Sequence, residues 1–80
     1  MVNIKILGSG CANCKRLEAM AREVVTTLGL QAEVTKVTDF DDIMKYPILS
    51  TPGLVVNEQL VSAGRIPSKA EIEGWLKQAA

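Results

Sequence analysis

Residues 2–14 read VNIKILGSGCANC, and this stretch contains the transition that decides the fold. Every second residue from Val2 to Ile6 is apolar, and this period of two predicts a β-strand over about residues 2–7. The Gly-Ser-Gly sequence at residues 8–10 ends the strand, and two cysteines three positions apart follow it. The cysteine pair is therefore predicted to lie where a strand gives way to the next element.

That next element is predicted to be an amphipathic helix from Ala12 to Leu28. Its apolar residues recur three and four positions apart, and they are Leu17, Met20, Ala21, Val24, Val25 and Leu28. Gly29 follows as a left-handed C-terminal cap, and residues 31–37 are rich in β-branched side chains, which predicts a second strand. Because a helix connects them, the two strands should be parallel with a right-handed crossover.

The middle of the chain predicts a short second helix. Thr38 or Asp39 caps it, residues 41–45 form it, and Pro47 ends it. Three of its apolar residues are expected to pack against the rest of the protein, namely Phe40, Ile43 and Met44.

The last third predicts a β-hairpin and a final helix. Residues 54–56 and 60–63 read as antiparallel strands joined by a turn at residues 57–59. Ser68 and Glu71 have the spacing of a capping box, which begins the helix. The predicted order is βαβαββα, an α/β fold that occupies residues 1–80 as a single domain.

Composition excludes several classes of function. Nine Lys and Arg residues balance nine Asp and Glu residues, so the net charge of zero provides no electrostatic basis for binding nucleic acid or an anionic membrane. The chain has no apolar run near the roughly 20 residues that span a bilayer, and its first residues lack a signal-peptide core. We therefore expect a cytoplasmic protein. Histidine is absent, which excludes Ser-His and Cys-His catalysis.

The cysteines carry the chemistry that remains. A helix N-terminus presents unpaired N–H groups and a positive dipole end, which favour the thiolate, the reactive form of cysteine. Cys14 lies three residues before Leu17 on the buried face, whereas Cys11 precedes the helix and faces the loop. Cys11 is therefore predicted to be the nucleophile and Cys14 the resolving thiol, in a pair that cycles between dithiol and disulfide.

The Gly-Ser-Gly-Cys-Ala-Asn-Cys turn that opens a helix, followed by Thr51-Pro52-Gly53 before a hairpin and a terminal helix, resembles the thioredoxin-like superfamily. More closely, the chain is similar to the short prokaryotic redox-active disulfide proteins, which are small thioredoxin/glutaredoxin-like domains. This resemblance implies a four-stranded mixed sheet flanked by three helices, with the first and last helices on one face and the short middle helix on the other. It also implies a cis bond between Thr51 and Pro52, packed beside the cysteines, with the Thr51 backbone presented to a substrate.

The function expected from these features is thiol-disulfide exchange through Cys11 and Cys14. The electrons pass through the protein's own sulfurs, so we expect no bound cofactor. The implied partners are a disulfide-bearing protein or small molecule and an upstream disulfide reductase, and neither nucleic acid nor membrane is expected.

Two questions stay open at the level of sequence. Thioredoxins carry a buried acid six residues before the first cysteine, where this chain has Lys5. Its ammonium favours the thiolate if it lies near the sulfurs, and has no such effect if it points to solvent. The alternative function is a soft-metal-binding Cys-x-x-Cys module of the metallochaperone kind. Such modules have a βαββαβ order that ends in a strand, whereas this chain is predicted to end in a helix.

Overall fold

The computed structural model describes the whole chain, Met1–Ala80. Four strands and three helices follow one another in the predicted order, βαβαββα. The elements are β1 (Val2–Leu7), α1 (Ala12–Leu28), β2 (Ala32–Val37), α2 (Phe40–Ile43), β3 (Gly53–Val56), β4 (Gln59–Ala63) and α3 (Lys69–Ala79). No helix is both long enough and apolar enough to cross a bilayer.

The strands form one mixed sheet in the order β2-β1-β3-β4. β1 pairs with β2 in parallel and with β3 antiparallel, and β3 pairs with β4 antiparallel. The parallel pair requires a crossover, which α1 provides as predicted. Leu7 is paired with Gly53, so the end of β1 lies beside the start of β3. This register brings the loop after β1 next to the segment that precedes β3.

Helix α1 begins and ends where the sequence predicts. The buried residues Cys14, Leu17, Ala21 and Val24 recur at intervals of three and four along one face. Gly29 adopts the left-handed conformation at φ 65°, and its N–H donates to the Thr26 carbonyl oxygen. The periodic apolar face thus determines which side of the helix meets the sheet.

Two apolar clusters lie on opposite faces of the sheet because successive strand side chains alternate between faces. The larger cluster joins the sheet to α1 and α3, and its buried residues are Val2, Ile4, Ile6, Leu17, Ala21, Val24, Leu54, Val56, Ile72 and Leu76. The smaller cluster joins the other face to α2 and the loop after it, and consists of Leu7, Ile43, Ile48 and Val55. This arrangement confirms the two-faced packing that the resemblance implied.

The packing predicted for the second helix is wrong in part. Ile43 is buried, but Phe40 is 71% exposed and Met44 is 53% exposed. The helix is one turn long, so only one of its side chains faces the sheet, and Ile48 from the following loop fills the rest of that space.

The hairpin turn between β3 and β4 is shorter than predicted. Asn57 and Glu58 alone form it, both with positive φ, as in two-residue hairpin turns.

The predicted capping box is present at the start of α3. The Ser68 hydroxyl accepts a hydrogen bond from the Glu71 N–H at 3.2 Å, and the Ser68 N–H donates to Glu71 Oε1 at 3.1 Å. Arg65 donates to both oxygens of the same carboxylate, at 3.1 and 2.7 Å. The Arg65 guanidinium, followed by the Ser68 N–H, lowers the pKa of Glu71 from 4.5 to about 2.

We expect the Glu71→Gln variant to lose stability in a pH-dependent manner. Glutamine preserves the capping hydrogen bond but removes the charge. Because the pKa of Glu71 is lowered in the folded state, its carboxylate stabilises the protein fully at pH values above the ordinary pKa of 4.5. This contribution disappears as the pH falls through the folded-state pKa of about 2. Melting temperatures should therefore differ most near neutral pH and converge in acid. A difference independent of pH would contradict this assignment, and Glu33→Gln, an exposed charge change elsewhere, is the control.

Candidate functional site

The two cysteines lie at the start of α1, directly after the loop that follows β1. Cys11 is the N-cap residue, with an extended backbone, and Cys14 is in the first turn. The two residues form a disulfide, and their Cα atoms are 5.0 Å apart. Position and spacing are those expected from the sequence.

The two sulfurs have different surroundings. Cys11 is exposed, whereas Cys14 is only 4% exposed and packs on the buried face of α1. The backbone N–H of Cys14 donates to Cys11 Sγ at 3.1 Å, so the Cys11 sulfur occupies the acceptor position of the helix cap. A thiolate at Cys11 is therefore stabilised by this N–H and by the positive end of the helix dipole.

Gly8 allows the end of β1 to approach Cys14 closely. A Cβ atom at this position would collide with Cys14 Sγ, and it would lie 3.7 Å from Thr51 Cβ. Gly8 thus brings together Cys14 and the segment before β3. From the sequence alone this glycine only ends a strand, because the atoms that require it belong to residues distant in the chain.

The segment before β3 completes the site. The Thr51–Pro52 peptide bond is cis, as the resemblance implied, Pro52 is buried and Thr51 is exposed. The Pro52 carbonyl oxygen accepts a hydrogen bond from the Gly64 N–H at 2.9 Å, which ties this segment to the end of β4. By contrast, residues 49–51 lie outside every helix and strand and make no backbone–backbone hydrogen bond. All three residues are exposed.

Comparison with known proteins agrees with this geometry. The sequence profile of the thioredoxin domain matches residues 2–77. A thioredoxin of Methanothermobacter thermautotrophicus is 45% identical over 73 residues, which cover 91% of this chain and 95% of the relative. A thioredoxin of Methanocaldococcus jannaschii is 39% identical over 77 residues, which cover 96% of this chain and 88% of the relative. The chain belongs to the thioredoxin family.

The activity follows from the family and the dithiol together. This thioredoxin-family protein is a thiol-disulfide oxidoreductase, and its redox centre is the Cys11–Cys14 pair. The metallochaperone alternative required the element order βαββαβ, whereas the observed order is βαβαββα. No group of three or more Cys, Asp and Glu side chains is placed to share a metal ion.

Lys5, which replaces the buried acid of thioredoxins, does not point towards the sulfurs. The strand alternation places it on the α2 face of the sheet, where Nζ lies 2.5 Å from Glu58 Oε1 and 3.1 Å from the Tyr46 hydroxyl oxygen. The Glu58 carboxylate and then the Tyr46 hydroxyl raise the pKa of Lys5, and the ammonium lowers the pKa of Glu58. Lys5 therefore links β1 to the hairpin turn and to the loop after α2.

We expect the Lys5→Ala variant to leave the dithiol unchanged. The pH dependence of Cys11 alkylation should shift by less than about 0.3 pH unit, because the ammonium is neutralised by Glu58 and lies on the other face of the sheet. The melting temperature should fall, and Glu58→Gln should lower it similarly, since either change breaks the same pair. A clear rise in the pH at which Cys11 becomes reactive would show that Lys5 acts on the sulfurs.

Lys5 is distant from the cysteines, but other charged side chains lie beside Cys14. A small cavity of about 60 Å³ beside Cys14 is lined by Lys15, Lys36 and Glu18 among others. Glu18 is engaged by Arg22, whose Nε lies 3.0 Å from Glu18 Oε2. Lys15 and Lys36 thus line the same cavity as the buried cysteine.

Proposed function

We propose that Cys11 is the attacking thiol and Cys14 the resolving thiol of this oxidoreductase. The observation that carries this assignment is the difference between the two sulfurs. Cys11 is exposed and accepts the Cys14 N–H, whereas Cys14 is buried. An incoming disulfide can reach Cys11 from solvent, and Cys14 can reach only its neighbour in the same turn.

The reaction proceeds by two exchanges. The Cys11 thiolate attacks one sulfur of the substrate disulfide, that S–S bond breaks, and the first substrate thiol leaves with a proton from solvent. Cys14 then loses its proton and attacks Cys11 Sγ, which breaks the mixed disulfide and releases the second substrate thiol. The substrate gains two electrons and two protons, and the protein retains the Cys11–Cys14 disulfide. A disulfide reductase must return two electrons to begin the next cycle.

We further propose that Thr51 and Pro52 bind the substrate chain. Thr51 is exposed and lies near Gly8 and Cys14, and its N–H and C=O make no backbone–backbone hydrogen bond. A substrate segment can pair with these groups as an added strand, which would orient its disulfide towards Cys11. Pro52 has no N–H, so no unpaired donor lies at this buried position.

The remaining parts of the proposal concern the cellular role. Residues 1–80 act as one thioredoxin-like domain, because a single sheet carries both apolar clusters. The protein takes part in electron transport and redox homeostasis in the cytoplasm, accepts electrons from a disulfide reductase and passes them to protein or small-molecule disulfides.

Measuring the reduction potential together with exchange kinetics tests this function. The Cys11–Cys14 couple should equilibrate with glutathione or dithiothreitol as a two-electron pair at a potential of about −270 to −120 mV, the range of related proteins. The reduced protein should also reduce an interchain protein disulfide in the presence of dithiothreitol. Absence of exchange, combined with tight binding of zinc or copper to the reduced thiols, would overturn the proposal.

A further inference from the structure

The second exchange requires a group that takes the proton from Cys14. A thiol attacks a disulfide only after it becomes a thiolate, and the Cys14 side chain, at 4% exposure, has little direct contact with bulk water. The chain contains no histidine, which is the side chain that most often accepts a proton near neutral pH. An ionised carboxylate close to Cys14 is then the ordinary acceptor.

Glu18 contributes the one carboxylate that lines the cavity beside Cys14. The charged and polar side chains around this cavity of about 60 Å³ are those of Lys15, Lys36, Thr38 and Glu18. A lysine ammonium donates hydrogen bonds and has no lone pair with which to accept a proton, and Thr38 offers only a neutral hydroxyl. Among the groups that share the cavity with Cys14, Glu18 is therefore the one suited to accept its proton.

Helix α1 directs the Glu18 side chain towards Cys14. The two residues are four positions apart, so they share one face of the helix with their Cβ atoms about 5–6 Å apart. Helical side chains lean towards the N-terminus, and Cys14 lies on that side of Glu18. The Glu18 side chain is only 18% exposed, and Arg22 donates to its Oε2 at 3.0 Å, whereas Oε1 has no partner within the protein. One carboxylate oxygen is thus held in place and the other is available.

The cavity itself provides a path for the proton. A water molecule needs roughly 10–15 Å³ of such space together with polar partners, and a cavity of about 60 Å³ that both the thiol and the carboxylate line meets both requirements. Proton transfer through a single bridging water is an established route in general base catalysis. Glu18 therefore needs no direct contact with the sulfur.

We propose that Glu18 accepts the proton of Cys14 in the second exchange, through water in this cavity. The proposal rests on the proposed roles of Cys11 and Cys14, and it adds the group that activates the resolving thiol. The proton passes from Cys14 Sγ to Glu18, a bond forms between Cys14 Sγ and Cys11 Sγ, and the bond from Cys11 to the substrate sulfur breaks. The substrate thiolate leaves with the electron pair of that bond and takes a proton from solvent, to which Glu18 returns its own. When a reductase opens the Cys11–Cys14 disulfide, the path runs in reverse and Glu18 delivers a proton to Cys14.

A single turnover with dithiobis(nitrobenzoate) separates the two exchanges. Reduced protein in excess should release one thionitrobenzoate ion when Cys11 attacks, in a phase whose rate rises with protein concentration. A second ion should follow when Cys14 resolves the adduct, at a rate independent of concentration. Thionitrobenzoate leaves as a thiolate at neutral pH, so the second phase reports the deprotonation of Cys14 and does not depend on protonation of the leaving group.

The Glu18→Gln variant tests the acceptor, because glutamine keeps the size of the side chain and an oxygen for Arg22 but takes up no proton. Its second phase should be about a hundredfold slower, at the lower end of the range for general base catalysis, while its first phase stays within about twofold. The second phase should also become about tenfold faster per pH unit between about pH 6 and 8, because hydroxide must then remove the proton, and the wild-type rate should depend less on pH.

Two further variants separate this role from general effects of charge on α1. Glu18→Asp keeps a carboxylate at the cavity and should retain a faster second phase than Glu18→Gln. Glu23→Gln removes an exposed carboxylate of the same helix, one that pairs with Lys69, and should leave both phases unchanged. Melting temperatures of the variants show whether each one is folded.

The sign of the effect distinguishes proton transfer from electrostatics. A negative charge beside Cys14 disfavours its thiolate, so removal of Glu18 would speed the second phase if the carboxylate acted only as a charge. An unchanged or faster second phase in Glu18→Gln, equal slowing of both phases, or a slower second phase with the wild-type pH dependence would overturn the proposal. Release of only one thionitrobenzoate ion by the wild-type protein would instead refute the resolving role of Cys14, and with it the proposed function.

Discussion

The Cys11→Ser variant should lose disulfide exchange almost completely, by about a thousandfold or more, because a serine hydroxyl does not replace a thiolate nucleophile. The Cys14→Ser variant should differ in kind. Its Cys11 thiolate remains exposed and capped by the residue 14 N–H, so the first attack proceeds and the mixed disulfide accumulates. Non-reducing electrophoresis with a protein disulfide should show an adduct for Cys14→Ser and none for Cys11→Ser.

Alkylation of the reduced wild-type protein provides an independent check on the same assignment. Iodoacetamide should modify Cys11 much faster than Cys14, because only Cys11 is both exposed and stabilised as a thiolate. Mass mapping of partially alkylated protein measures the order directly. Modification of Cys14 first, or an adduct trapped by Cys11→Ser, would reverse the two roles.

The second large effect is expected from Gly8→Ala. The added methyl group would collide with Cys14 Sγ, so α1 must shift or the sulfur must move, and overpacking of this kind costs about 1–3 kcal/mol. The positive φ of 157° at this residue adds backbone strain. Exchange should also slow, because Cys14 no longer lies where it can close on Cys11.

Gly74→Ala is the matched control for this substitution. Gly74 lies inside α3, and no atom outside the neighbouring backbone of this helix lies within 4 Å of the position of its added Cβ. Alanine there should stabilise the protein by about 0.5–1 kcal/mol, since glycine is the poorer helix former. Urea unfolding of the oxidised and reduced forms measures both effects. Equal stability of the two variants would show that the approach of Gly8 to Cys14 is not required.

The features that were predictable from sequence are encoded within a few neighbouring residues. The apolar period of α1, the cap at Gly29 and the placement of Cys11 at the helix start are of this kind, and the structure has all three. The packing of α2 was not predictable in the same way. A four-residue helix has too few positions to define a face, and Phe40 and Met44 were wrongly expected to be buried.

The features that could not be predicted from the sequence depend on contacts between segments that are distant in the chain. The orientation of Lys5 depends on Glu58 and Tyr46, which only the hairpin and the loop after α2 bring within reach. Gly8 is required because Cys14 and Thr51 converge on it, and no local pattern reveals that convergence. The placement of Thr51 and Pro52 near the cysteines was implied by the family resemblance. The apolar periodicity of the sequence does not predict it.

The pairing of β1 with β3 has a consequence for folding. Residues 2–37 form one local unit, β1-α1-β2, and residues 53–79 form another, β3-β4-α3, and this antiparallel pairing joins them within one sheet. The cysteines belong to the first unit, and the segment before β3 joins the second. A chain in which only the first unit has formed would therefore carry the two cysteines without the segment proposed to bind substrate. We expect substrate recognition to form late in folding, with the long-range pairing that closes the sheet, since contacts of high sequence separation form slowly.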